Sequence, residues 1–272
     1  MNKQRIIIAA ITGALFATVT LPLQSQIYIG DPFNEQQLKM RVKQLDEFVS
    51  RFNYEKDIDG ITVKNRQDTA KRKLYIASLF NKDLVTNVKE TVLEVYYEFI
   101  ETVVNPSKPV YLHFADTNWT AEAICKAVFK GKPVRISLFL KTEKINDNEY
   151  KWVINSVQGE IFDLKPDKKN PGLMISPVDN ELGFMSLADI SGKAGKNIIN
   201  YSYKNYSVDN LSVFNTLIYT GLLNIEYVQK VVYYFYQAPD FIFTVEHFER
   251  EDSNAGWLIS SIIKTKKNEK HE

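Results

Sequence analysis

The chain has no excess of charge of either sign and almost no cysteine. Lys and Arg number 34 against 33 Asp and Glu, for a formal net charge of +1. Surfaces that track phosphates carry a basic excess, so nucleic acid is not an expected partner. One cysteine, Cys125, excludes an internal disulfide framework and a cysteine-based zinc site. H-E-x-x-H, G-x-S-x-G, the P-loop and G-x-G-x-x-G are all absent, so no motif names a reaction. What is present is 44% hydrophobic, 25% charged and 12% aromatic, the composition of a folded chain. Its length allows one large domain or two ordinary ones.

Residues 1–26 divide into a basic start (Lys3, Arg5), an uncharged apolar run over 6–23, and a break at Leu23-Gln24-Ser25-Gln26. This pattern predicts a signal peptide cleaved after Ser25 or Gln26. An uncleaved anchor is the alternative, because roughly 18–20 apolar residues span a bilayer. Thr12, Gly13, Thr18, Thr20 and Pro22 lower the hydrophobicity of the run and favour cleavage. No Cys follows it, which excludes a lipoprotein anchor. The expected product is periplasmic or extracellular and soluble, with membrane contact only through the signal segment if it is retained. Cys125 is then expected to be buried as a small apolar side chain.

Apolar residues recur at helical spacing over 35–53 (Leu38, Val42, Leu45, Val49, Phe52), with Asn34 as a candidate cap. A second helix is expected over 66–80, with Ala70, Leu74, Ala77 and Leu79 or Phe80 inward. A third is expected over 84–103, stopping at Asn105-Pro106. The texture then turns to strands at 110–114, 119–130, 134–145 and 150–161, with turns at Lys130-Gly131-Lys132-Pro133 and Asn146-Asp147-Asn148. A polar, proline-containing linker or loop follows at 163–181. Ser207 or Asp209 caps a helix running to Leu222, and strands at 225–236, 240–250 and 256–265 lead to a polar tail at 267–272. The expected organisation is a helical plus three-stranded unit at 27–162 and a second α+β unit at 182–266.

The two strand sets resemble each other. Trp152-Val153-Ile154-Asn155 parallels Trp257-Leu258-Ile259-Ser260 at a spacing of 105, and residues 122–128 parallel 226–232 at 104. Either the unit is duplicated or the chain is one larger α+β domain. Helices followed by a long antiparallel meander, with a Trp opening the last strand (KWVINSV, GWLISSI), resemble the nuclear transport factor two-like and cystatin-like cone folds. The chain also resembles exported proteins of Gram-negative bacteria with that layout. The likeness covers residues 35–162, and the second half shares only its sheet. It implies curved antiparallel sheets with helices packed on them. Members of that superfamily include dehydratases, isomerases, cyclases and non-catalytic modules, and the enzymes among them work through polar residues in the cone mouth.

Candidate residues are few. His113 and Asp116 at a strand end, with Glu122 nearby, are the acid–base candidates, because a carboxylate can fix an imidazole tautomer. For binding, Trp119 is placed at a cone mouth, and Tyr234 and Tyr236 on one face of a tyrosine-rich strand. His247 and Glu249 share a strand face, but two ligands do not make a metal site. Asp68-Thr69-Ala70 resembles a short bacterial O-glycosylation pattern and competes with the second helix. No metal or cofactor is expected. The expected function is an exported, non-catalytic α+β module binding a small ligand or an envelope protein. The alternatives are a cone-pocket enzyme (dehydratase-, isomerase- or hydrolase-like) and a structural component of an envelope assembly.

Overall fold

The computed structural model describes residues 44–265 apart from 58, 87, 147–148, 163–177, 179–183, 191–194, 204–205 and 207–208. The signal segment 1–26, the Asn34 cap, the tail 267–272 and all of the 163–181 linker but residue 178 lie outside the described residues.

The described residues form four helices and six strands. In chain order these are α1 Leu45–Phe52, α2 Thr69–Ser78, α3 Glu90–Val104, β1 Trp119–Phe129, β2 Lys132–Lys144, β3 Tyr150–Gln158, α4 Asn210–Tyr219, β4 Leu223–Phe235, β5 Phe241–Phe248 and β6 Gly256–Lys264. Local chemistry sets several of these limits. The Asp68 carboxylate accepts from the Lys71 amide and starts α2, so Asp68-Thr69-Ala70 forms the cap and first turn of that helix. Asp209 accepts from the amides of Leu211 and Ser212 and starts α4. That helix ends in paired bonds, Leu222 N–H to the Leu217 carbonyl and Gly221 N–H to that of Ile218, with Gly221 at φ 69°. Only glycine takes that conformation without a side-chain penalty. Between β1 and β2 a two-residue turn, Lys130-Gly131, has φ of 49° and 76°, the double positive φ that matches strand twist.

All six strands join in one open antiparallel sheet, ordered β3-β2-β1-β4-β5-β6. The first meander meets the second along β1 and β4. Strands β2–β3 and β5–β6 pair in matching registers 105 positions apart: Leu138 opposes Val157 as Phe243 opposes Ile262, and Leu140 opposes Ile154 as Val245 opposes Ile259. The extra residue of each pair, Asn155 or Ser260, falls at the same place. The parallel at 104 is not carried by the pairing. Strand β4 meets β5 only over 232–235, whereas β1 meets β2 over 120–129.

Both helical layers lie on one face of the sheet, since residues 119, 121, 123, 125 and 127 of β1 alternate toward them. The layers are exchanged between the halves. Helices α1–α3 cover the second meander, where Phe48, Phe52 and Phe99 pack with Phe235, Phe241 and Phe243. Helix α4 covers the first, where Phe214 joins Cys125, Ala127, Ile136, Leu138 and Val157. Side-chain size rationalises the arrangement: β1 offers Ala121, Ala123, Cys125 and Ala127, which suit one close helix, while β4 and β5 offer phenylalanines that fill a thicker layer. Cys125 is fully buried, as expected, and burial raises its thiol pKa.

Two expectations need correction. Residues 110–114 join no strand. Of these, Val110 and Leu112 alone are buried in the core under the helices, and the segment is held by Val110 N–H to the Val103 carbonyl and by Asn53, whose side chain bonds both the amide (2.7 Å) and the carbonyl (2.9 Å) of Leu112. An apolar run can thus be buried without a ladder if its polar backbone finds other partners. In α2 the Ala70–Leu74–Ala77 stripe faces outward, with Leu74 70% exposed, and Arg72 and Ile76 point inward. The side chain of Ile76 fills more core volume than two alanines, and its face carries Arg72 in with it.

Phe243 is the keystone of the larger core. Its ring stacks on Phe52 (5.6 Å) and Phe235 (5.1 Å) and meets Phe99 edge-on (5.3 Å). Phe243→Ala is expected to lower unfolding free energy by about 3–5 kcal/mol in denaturant titration. A loss below about 1 kcal/mol would mean that this stack does not form.

Candidate functional site

The face opposite the helices is where charged and aromatic side chains of the central strands collect. Directly opposed residues of neighbouring strands share a face, so Thr120, Glu122 and Lys126 of β1 stand with Tyr234, Val232 and Tyr227 of β4. Thr244 and Glu246 of β5 extend the set. Bulges in β4, at the register shifts opposite Ile124/Cys125 and Lys126/Ala127, increase the local twist beneath it.

Across the β1–β4 seam the Tyr234 hydroxyl donates to Glu122 Oε2 (3.0 Å). Next to it, Lys230 and Glu246 form an ion pair. The Thr120 and Tyr236 hydroxyls lie 3.3 Å apart, and Thr244 Oγ1 donates to Ser261 Oγ (2.9 Å). Farther along, the Lys126 ammonium sits over the Tyr227 ring (5.6 Å) and 3.7 Å from Glu226. Tyr227 and Tyr236 remain 51% and 43% exposed. Burial, then the hydrogen bond and charge of Glu122, with smaller effects from Tyr236 and Glu246, push the Tyr234 phenol up to about 12. Tyr234 is therefore a fixed donor near neutral pH, not a phenolate.

Three of the sequence candidates thus share one patch: Glu122 and Tyr234 in direct contact, and Tyr236 beside them through Thr120. The others lie elsewhere. His113 is exposed, and its amide and carbonyl bond the Gln237 side chain (2.8 and 2.9 Å). The Asp116 carboxylate accepts from the Asn118 amide (2.9 Å) and does not meet His113. Trp119 is 4% exposed on the helix side, stacked on Phe235 and bonded through Nε1 to the Phe114 carbonyl (3.2 Å). The His247 ring packs edge-on against Trp257 (5.4 Å) at the end of β5, and Glu249 follows that strand exposed to solvent. Among the described residues no group of three or more His, Cys, Asp or Glu is placed to hold a metal ion. Sequence reasoning missed Lys230 and Thr244. Their value comes only from the strands beside them, and no local pattern marks it.

No protein-family model matches the chain, and no curated protein or solved structure matches it either.

The Glu122–Tyr234 contact gives a direct measurement. An unfolded tyrosine ionises near 10.0 and folded Tyr234 near 12, so its contribution to stability is intact below pH 10 and is lost as pH rises through 12. Tyrosinate absorbance should show a late-ionising phenol that Tyr234→Phe removes and Glu122→Gln shifts down. An unchanged titration in both variants would show that the contact is not made.

Proposed function

We propose that the protein is a non-catalytic α+β binding module of the cell envelope, which presents the open face of its sheet to a small ligand or partner protein. The observation that carries this reading is the patch around Tyr234. Two half-exposed tyrosines, Tyr227 and Tyr236, flank hydrogen-bonded and ion-paired groups on a face that neither helical layer occupies. Tyrosine suits such a surface because its flat ring gives contact area at small entropic cost and its hydroxyl adapts to a polar partner. Tyr234 offers that surface a protonated hydroxyl held in place by Glu122.

The basic start and apolar run of residues 1–26 support export by a cleaved signal peptide. No helix among the described residues is long and apolar enough to cross a membrane. The matching registers of β2–β3 and β5–β6, with Asn155 and Ser260 as equivalent bulges, support a duplicated sheet unit of the cone-like, cystatin-like kind.

Protein purified from its own envelope and examined by native mass spectrometry is expected to start at Gln26 or Ile27 and to carry a bound ligand or partner. Replacing Tyr227 and Tyr236 together by Ala should remove most of that adduct while leaving the fold intact by circular dichroism. A bare chain, or an adduct that survives the double substitution, would overturn the reading of the open face. A retained residue 1 would overturn cleavage alone.

A further inference from the structure

Helix α2 turns a charged residue into the protein. Arg72 is 2% exposed, and its Nε has no hydrogen-bond partner among the described residues. Its Nη2 donates to the Val110 carbonyl, and its guanidinium lies 4.5 Å from the centre of the Tyr111 ring. Neither neighbour is an anion. Asp68, one turn before it, caps α2 and lies 3.7 Å from Lys71 Nζ, and Glu55 pairs with Arg66 (3.2 Å). A buried cation without a counter-charge is costly, and arginine does not relieve the cost by losing its proton.

Arg72 forms part of the wall of a cavity of 580 Å³. Arg66 and Thr69 add a second cation and a hydroxyl, while Tyr111, Val104 and Pro109 supply aromatic and apolar surface. The volume suits a small organic molecule more than a bare inorganic ion.

We propose that this cavity binds a small organic anion, a carboxylate or phosphate on an apolar body, with Arg72 as the uncompensated charge in its wall and Arg66, shared with Glu55, as a second cation. The planar guanidinium matches either oxyanion, and the apolar body lies along Tyr111 and Pro109. The site is built from α2 and the segment after α3, so it is separate from the open sheet face and stands or falls independently of it.

Isothermal titration of the full chain with phenyl phosphate, benzoate and neutral benzyl alcohol tests the proposal. At least one of the two anions should bind saturably at one site, the alcohol should not, and the stronger anion identifies the headgroup. Arg72→Met should weaken that binding roughly tenfold or more, the scale of one lost charge-assisted contact. If Arg72→Met does not fold, Arg66→Ala on an exposed side chain takes its place and should also weaken binding. Absence of saturable anion binding, equal binding of the alcohol, or affinity unchanged in the folded variant would overturn the proposal.

Discussion

The pairing of β1 with β4 holds the molecule together. Each meander taken alone is three strands with two open edges, and unpaired edges invite pairing with other chains. Joining β1 to β4 removes one edge from each and turns two small sheets into one of six strands. The far edge at β6 is partly covered as well: Phe80 bridges Ile259, with Asn81 N–H donating to the Ile259 carbonyl and Ile259 N–H to that of Leu79. The seam also creates the open-face patch, because Glu122 and Tyr234 are 112 residues apart in sequence and meet only across it. Contacts of that separation carry a high closure entropy, so the seam must be supported by burial elsewhere.

That burial comes from the exchange of helical layers. The phenylalanines of β4 and β5 are covered by helices that precede the first meander, and Cys125, Ile136 and Val157 by the helix that precedes the second. Each half therefore supplies the other's missing layer, and neither meander keeps its apolar face dry with its own helices. The 110–118 segment makes the crossing possible. It leaves α3, passes Asn53, which satisfies both backbone groups of Leu112, and delivers Trp119 to the seam beside Phe235. Trp119, Trp152 and Tyr233 then touch one another, and Tyr233 touches Trp257, so the two opening tryptophans of the last strands meet through a chain of rings over the junction.

Much of the element order was readable from residues alone, because period and punctuation are local properties. Asp209, Gly221, Lys130-Gly131 and the Val134–Ile136–Leu138–Leu140 alternation each act within a few residues, and each appears where its chemistry requires. The errors share a different cause. Residues 110–114 are as apolar as a strand, but whether they enter a ladder depends on distant partners. The alanines and leucine of α2 mark one face as apolar, yet the core takes Ile76, and Arg72 goes inward with it. Tryptophan suits a cone mouth, but nothing local fixes Trp119 there. Its ring stacks equally well on Phe235, and burial of that much apolar area decides. His113 and Asp116 are neighbours in sequence, but Asp116 is used by its own turn. The patch itself was half legible: Glu122, Tyr234 and Tyr236 could be named, while the seam that joins them could not.

The two faces of the sheet differ in what they can absorb. On the helix side the large residues are packed into two buried clusters, the larger one tied by ring contacts, and removing one leaves a cavity that neighbours fill poorly. On the open side, Lys230–Glu246 and Lys126–Glu226 are solvent-touched ion pairs, worth about 0–1 kcal/mol each, so their identity is set little by stability. Tyr227 and Tyr236, half in solvent, make few contacts there, with Lys126 and Thr120. A surface whose chemistry can vary while the fold remains intact is where recognition can be placed without cost to the scaffold. Arg72 is the opposite case. It lies on the constrained side, where burial of a charge costs stability, and the Val110 carbonyl and the Tyr111 ring hold it there while its Nε keeps no partner among the described residues.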